Sequence, residues 1–282
     1  MRARLLAGIA AGTLALLTLA ANPASAADNA APTSPDGALL SVFHGVPGLT
    51  VDVYVNNKLT LDNFTPGSMA GPLDLPAGTY TVAITAADAA DASAPAIGPI
   101  DLALEAGKNY TAVAHLDAAG APTATLFTND TSTTAAGQGR LTVRHVAAAP
   151  GVDVLAGGTA VITNLTNPNE KVLDLPAGTV SASVTATGTT TPALLGPADV
   201  AITEGTNTIV YAWGSATASP ATLALAVQTI SGLHGDPSGV NAGEVGLVAD
   251  GGTPAWPFAL GALAVAGLVG LGFARRTAPQ RS

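Results

Sequence analysis

The chain repeats itself with a period of roughly 100 residues, and nothing else in it narrows the choice of fold so far. Leu40 to Val55 (LSVFHGVPGLTVDVYV) matches Leu141 to Ala156 (LTVRHVAAAPGVDVLA) without a gap. Leu73 to Tyr80 (LDLPAGTY) matches Leu173 to Val180 (LDLPAGTV), and Ile97 to His115 matches Leu195 to Trp213. Three blocks in one order imply a duplicated unit. The period is too long for a solenoid repeat and suits two whole domains.

Within the first copy, LSVFH, TVDVYV, KLTLDNF, TYTVAIT, PIDLALE, NYTAVAHL and PTATLFT alternate Val, Thr, Ile and Tyr with other residues. Pro, Gly and Asn separate them, which is strand patterning. No window holds an amphipathic helix over three turns. The expectation is an all-β protein with two tandem immunoglobulin-like β-sandwich domains, a small barrel being the competing architecture. The first sandwich is expected over 38–128 and the second over 139–230. Thr128 to Gly139, polar and rich in small residues, reads as a linker that lets the two fold separately. Residues 231–254, rich in Gly and Pro, read as a flexible stalk.

The two ends carry the signs of export and anchorage. Arg2 and Arg4 precede an uncharged run from Leu5 to Ala21, and Ala24-Ser25-Ala26 fits a small-x-small cleavage site. Residues 1–26 therefore read as a cleaved signal peptide. Ala255 to Ala274 is uncharged, long enough to span a bilayer as a helix, and followed at once by Arg275 and Arg276. The reading is a single-pass anchor over 255–274, the domains outside and the basic tail 275–282 in the cytoplasm. Ala262, Ala266, Gly270 and Ala274 make a stripe of small residues that allows weak self-association of that helix. LPAGT occurs twice, but inside the chain and with the last two letters of a sortase-like signal exchanged.

Charge and composition exclude several classes. The net charge is −9, with 19 acidic and 10 basic residues. Between the signal and the tail the only basic residues are Lys58, Lys108, Arg140, Arg144 and Lys171. An acidic body of this kind is not a nucleic-acid binder. With no cysteine, disulfides, thiolate nucleophiles and Cys-ligated metals are ruled out.

Among candidate site residues, His44 precedes Asp52 and His145 precedes Asp153 by the same interval. Each pair suggests a metal site or a His–carboxylate dyad. No third ligand recurs in both copies, and His115 aligns with Trp213, so structural histidines are the favoured reading. An EF-hand-like loop is absent, and Asp88 and Asp91 stand isolated in an Ala-rich loop, so only weak, nonspecific cation binding is expected. Leu73 and Leu75 should share one strand face with Asp74 towards water, before a turn made by Pro76 and Gly78. Tyr54, Tyr80 and Tyr110 are the candidates for a sugar-stacking platform. No nucleophile elbow, zincin, Walker or dinucleotide motif occurs. No catalytic, cofactor-binding or metal residues are assigned.

HGVPGLTVDVYVNN and LDLPAGTYTVAIT resemble the domain of unknown function 4397 family of secreted bacterial domains. The likeness covers Ala38 to Thr128. The second copy is looser, with VDVL for VDVY and Val180 for the Tyr. The resemblance implies an exported β-sandwich and carries no reaction with it. The combined expectation is a non-catalytic, membrane-anchored bacterial surface protein with a structural, adhesive or ligand-binding role. Its partner would be an envelope glycan or protein, and the alternative is a surface hydrolase or carbohydrate-binding module.

Overall fold

A computed structural model describes residues 36–235. The expected signal peptide, anchor helix and basic tail, and most of the expected stalk, lie outside the described residues. Among the described residues there is no helix long and apolar enough to cross a membrane.

The first copy forms β1 (Gly37–Gly45), β2 (Val51–Val55), β3 (Lys58–Phe64), β4 (Met69–Pro76), β5 (Gly78–Ala86), β6 (Ile97–Leu104), β7 (Asn109–Leu116) and β8 (Pro122–Thr128). The second repeats them as β9 (Gln138–Ala148), β10 (Val152–Ala156), β11 (Thr159–Leu165), β12 (Glu170–Pro176), β13 (Gly178–Ala186), β14 (Ala193–Ile202), β15 (Asn207–Ser215) and β16 (Ala224–Ile230). Each copy makes two four-stranded sheets, ordered β4-β1-β7-β8 and β3-β2-β5-β6, then β12-β9-β15-β16 and β11-β10-β13-β14. The first and seventh strands of each copy pair in parallel. This is a layered β-sandwich of immunoglobulin size, but its four-plus-four order differs from the constant-domain arrangement of four strands on three.

Alternation explains the layering. In V-D-V the two valines face the partner sheet and the Asp faces away. In the second copy Leu141, Val143, Val210 and Ala212 pack against Val152, Val154, Val184, Val200 and Ile202 of the facing sheet. Each fully buried aliphatic side chain contributes about 1.5–3 kcal/mol. The fourth strand of each copy, β4 or β12, runs into the L-P-A-G block, which takes the chain from one sheet to the other. β4 and β5 are not paired, and Gly78 and Gly178 have φ of 155° and 157° at that corner. Gly98 and Gly196 are required for a different reason. A Cβ at either would sit 2.6 Å from the Val82 carbonyl oxygen or 2.7 Å from that of Ala182, where the ladder bulges.

The two copies do not hang on a loose connector. Strands β1, β7, β9 and β15 are buried along nearly their whole length, which a two-layer sandwich with one wet face would not give. Their outer faces meet: Phe43, Val113 and Phe127 of the first copy cluster with Val146, Ile209, Tyr211 and Ile230 of the second. Both copies fall within one compact unit. The expected linker is a strap bound into this seam, since Asn129 and Thr134 are buried and Asp130 and Ser132 hold Arg140.

The first residues of the expected stalk are also fixed. Leu233 is only 2% exposed, donates its N–H to the Gly205 carbonyl and accepts that of Thr134. Composition suggests a linker and a flexible stalk; the seam supplies Asn129, Thr134 and Leu233 with partners that such composition does not reveal.

Candidate functional site

The residues that recur in both copies gather at matched corners, where the chain leaves the first strand and enters the second. His44 Nε2 lies 2.7 Å from the Leu49 carbonyl oxygen, and His145 Nε2 lies 2.9 Å from that of Pro150. Each imidazole thereby spans the loop that follows it. Burial lowers the pKa of both histidines, the carbonyl bond acting weakly the other way. His44 also stacks on Phe64, with ring centroids 5.8 Å apart.

The carboxylates do separate work. Asp52 Oδ1 accepts the N–H of Asn63 at 2.8 Å, and Asp153 Oδ1 accepts that of Asn164 at 2.8 Å. Asn63 and Asn164 have φ of 52° and 51°, so each Asp secures a left-handed residue on the neighbouring strand. Asp153 Oδ2 also takes the N–H of Gly188 at 2.8 Å. These two backbone bonds hold the Asp153 carboxyl below the usual carboxylate range. Neither His bonds its Asp, so the dyad that the spacing allowed is not formed. Among the described residues no group of three or more His, Cys, Asp or Glu side chains is placed to hold a metal ion.

A second concentration of chemistry lies in the seam. Arg144 is 0% exposed and every guanidinium nitrogen is used. Nε donates to Glu170 at 2.7 Å, one terminal nitrogen to the Tyr211 hydroxyl at 2.8 Å, and the other to Asn129 Oδ1 at 2.8 Å. The guanidinium also lies over the Phe127 ring, 4.3 Å from its centroid. Tyr211 donates to Gln228, which accepts from Thr111 at 3.1 Å, joining the two copies by a continuous polar chain. Burial pushes the Tyr211 phenol up, with Arg144 opposing. Arg140 adds a two-pronged bond to Asp174 at 2.8 and 3.1 Å. At one end of the seam, Asn167 Nδ2 donates to the carbonyls of Leu116 and Ala147, at 2.8 and 2.6 Å, one in each copy.

Between the sheets of the first copy lies a small apolar cavity of about 40 Å³. Ala112, Ala114 and Ala124 line one wall and Val53, Ile84 and Ile97 face them. Strand register puts Val210 opposite Ala112 in the repeat, and Leu225 opposite Ala124. The cavity has room for no more than a very small apolar guest.

The tyrosines proposed as a stacking platform do not make one. Tyr54 and Tyr110 are buried, and Tyr80 bonds the Pro76 carbonyl at 2.8 Å. Alternation alone does not tell a core-facing Tyr from an exposed one. What sequence reasoning missed is Arg144. Its signal was present: one Arg on a strand in a body almost free of basic residues, aligned with Phe43 of the first copy.

Residues 38–155 match the model of a family described as Domain of unknown function (DUF4397). That stretch of the chain belongs to the family its sequence blocks resemble. The match runs beyond Thr128, across the strap and through β9 and β10. It therefore spans the first copy together with the first corner of the second. No curated protein matches the chain.

Proposed function

We propose that this is a non-catalytic bacterial cell-surface protein, exported by its N-terminal signal and held by its C-terminal apolar segment. Its double sandwich acts outside the membrane as one rigid body with a structural, adhesive or ligand-binding role. One observation carries the reading: the side chains that recur in both copies, His44 and His145, Asp52 and Asp153, bond the protein's own loop backbone. Such a pattern favours a scaffold whose corners are fixed over a site whose groups converge on a substrate. The seam supports the same reading, because a buried Arg network joins two sandwiches at a cost only a permanent contact recovers.

Protease added to intact cells should release a soluble fragment starting near Ala27, and an array of envelope glycans and peptidoglycan fragments should then give its ligand class. Full-length protein free in the medium would overturn the anchorage. Turnover of any arrayed glycan would overturn the non-catalytic reading.

A further inference from the structure

The two corners differ in a way that points to an ion. In the second copy the loop after β13 closes over the Asp: Gly188 N–H reaches Asp153 Oδ2 at 2.8 Å, and Thr185 Oγ1 donates to the Thr189 carbonyl at 2.7 Å. The first copy turns after β5 with the same backbone bonds, but without the left-handed φ of 78° that Gly188 adopts. Ala87 N–H bonds the Thr50 carbonyl as Thr187 N–H bonds that of Gly151, and Ala89 N–H bonds Ala86 as Thr189 N–H bonds Ala186. The residue in Gly188's place is Asp88.

Three consequences meet at this corner. Asp52, 4% exposed, keeps only the Asn63 N–H and has no ion-pair partner among the described residues. Thr85, cross-strand neighbour of Asp52 on the same face of the sheet, is 0% exposed, and its Oγ1 is buried without a partner. Asp88, exposed on the turn, places a second acidic residue at the chain position from which the repeat donates an N–H. A buried carboxylate needs a partner or a metal, and a second carboxylate on the adjoining turn offers a further oxygen donor to a cation.

We propose that Asp52, Thr85 and Asp88 form a calcium site in the first sandwich, absent from the second. Carboxylate and hydroxyl oxygens are the hard donors that calcium takes, and water completes its shell. Magnesium demands stricter octahedral geometry and gives up water reluctantly, so it should bind more weakly here. With so few protein donors the site belongs to the weak extracellular range, Kd about 10⁻⁴–10⁻³ M. This goes beyond the proposed function and does not depend on it, because it concerns the ion and not the cell surface.

The test is thermal unfolding of the full chain in detergent, with about 10 mM calcium, the same concentration of magnesium, sodium at matched ionic strength, or chelator. Calcium should raise the midpoint saturably by about 3–5 °C, and magnesium and sodium should do less. Asp88→Gly, which installs the residue the second copy already uses, should fold normally and lose the calcium shift. Thr85→Val should reduce the shift, and Asp153→Asn should leave it intact. A shift equalled by sodium, or retained in Asp88→Gly, overturns the site, as does no shift in the unaltered chain.

Discussion

The first and second sandwiches share strand order and the His and Asp bonds that fix their corners, yet their outer faces have diverged in opposite senses. Strand register aligns Phe43 with Arg144, Val113 with Tyr211 and Phe127 with Gln228. The first copy thus offers rings and aliphatics where the second offers a guanidinium, a phenol and an amide. Arg144 lies over Phe127, and Phe43 packs on Tyr211 with centroids 4.7 Å apart. Matched positions of the two sheets are complementary and not alike, which makes the contact exclusive to this pair.

The largest test of that contrast is Arg144→Ala. It strands Glu170, Tyr211 and Asn129 in the seam and should cost about 3–5 kcal/mol. Because the copies share a core, calorimetry of the unaltered chain should show the body unfolding in one transition, and the variant should show two. Two transitions in the unaltered chain would mean that the seam couples nothing.

A smaller effect separates the copies by pH. His44 and His115 of the first and His145 of the second all have pKa values lowered by burial. Each binds a proton less readily when folded than when unfolded. Their contribution to stability is therefore complete above about pH 6.5 and is lost as pH falls below it. Since Trp213 stands where His115 would recur, the first copy carries more of this loss. The midpoint should fall between about pH 7.5 and 5.5, and less steeply in His115→Gln. An unchanged slope in that variant would place the acid sensitivity elsewhere.

The smallest effect concerns the cavity. Ala124→Leu copies the residue that fills the matched position of the second sandwich and should stabilise by about 1 kcal/mol. Denaturant titration measures it. A loss of stability would mean that the first sandwich is packed differently from its repeat at that wall.

Much of the architecture was legible in the chain. Alternation located seven of the eight strands in the first copy, and the L-P-A-G block marked the eighth by its corner. The blocks also located His44, Asp52 and their repeats, because corners that need a loop-spanning imidazole and a carboxylate keep them at fixed spacing. The seam was hidden for a physical reason. Ser41, Thr111, Thr142 and Arg144 alternate with core residues as a solvated face would, and period-2 patterning cannot tell water from a satisfied polar network. The strap misled similarly: Asn129 is polar in composition, yet it is buried against Asn109 at 2.6 Å and Arg144 at 2.8 Å. The calcium corner was illegible because it depends on a difference between copies, Asp88 against Gly188, and not on a motif.

The buried guanidinium at Arg144 also sets a direction to the history of this chain. A duplicated gene ordinarily loses its spare copy without harm. Here, deleting the first sandwich would expose an arginine, a phenol and their apolar neighbours on a sheet that has no other cover among the described residues, and deleting the second would uncover Phe43 and Phe127. Each half has become the other's obligatory surface, so the duplication can be elaborated but no longer undone.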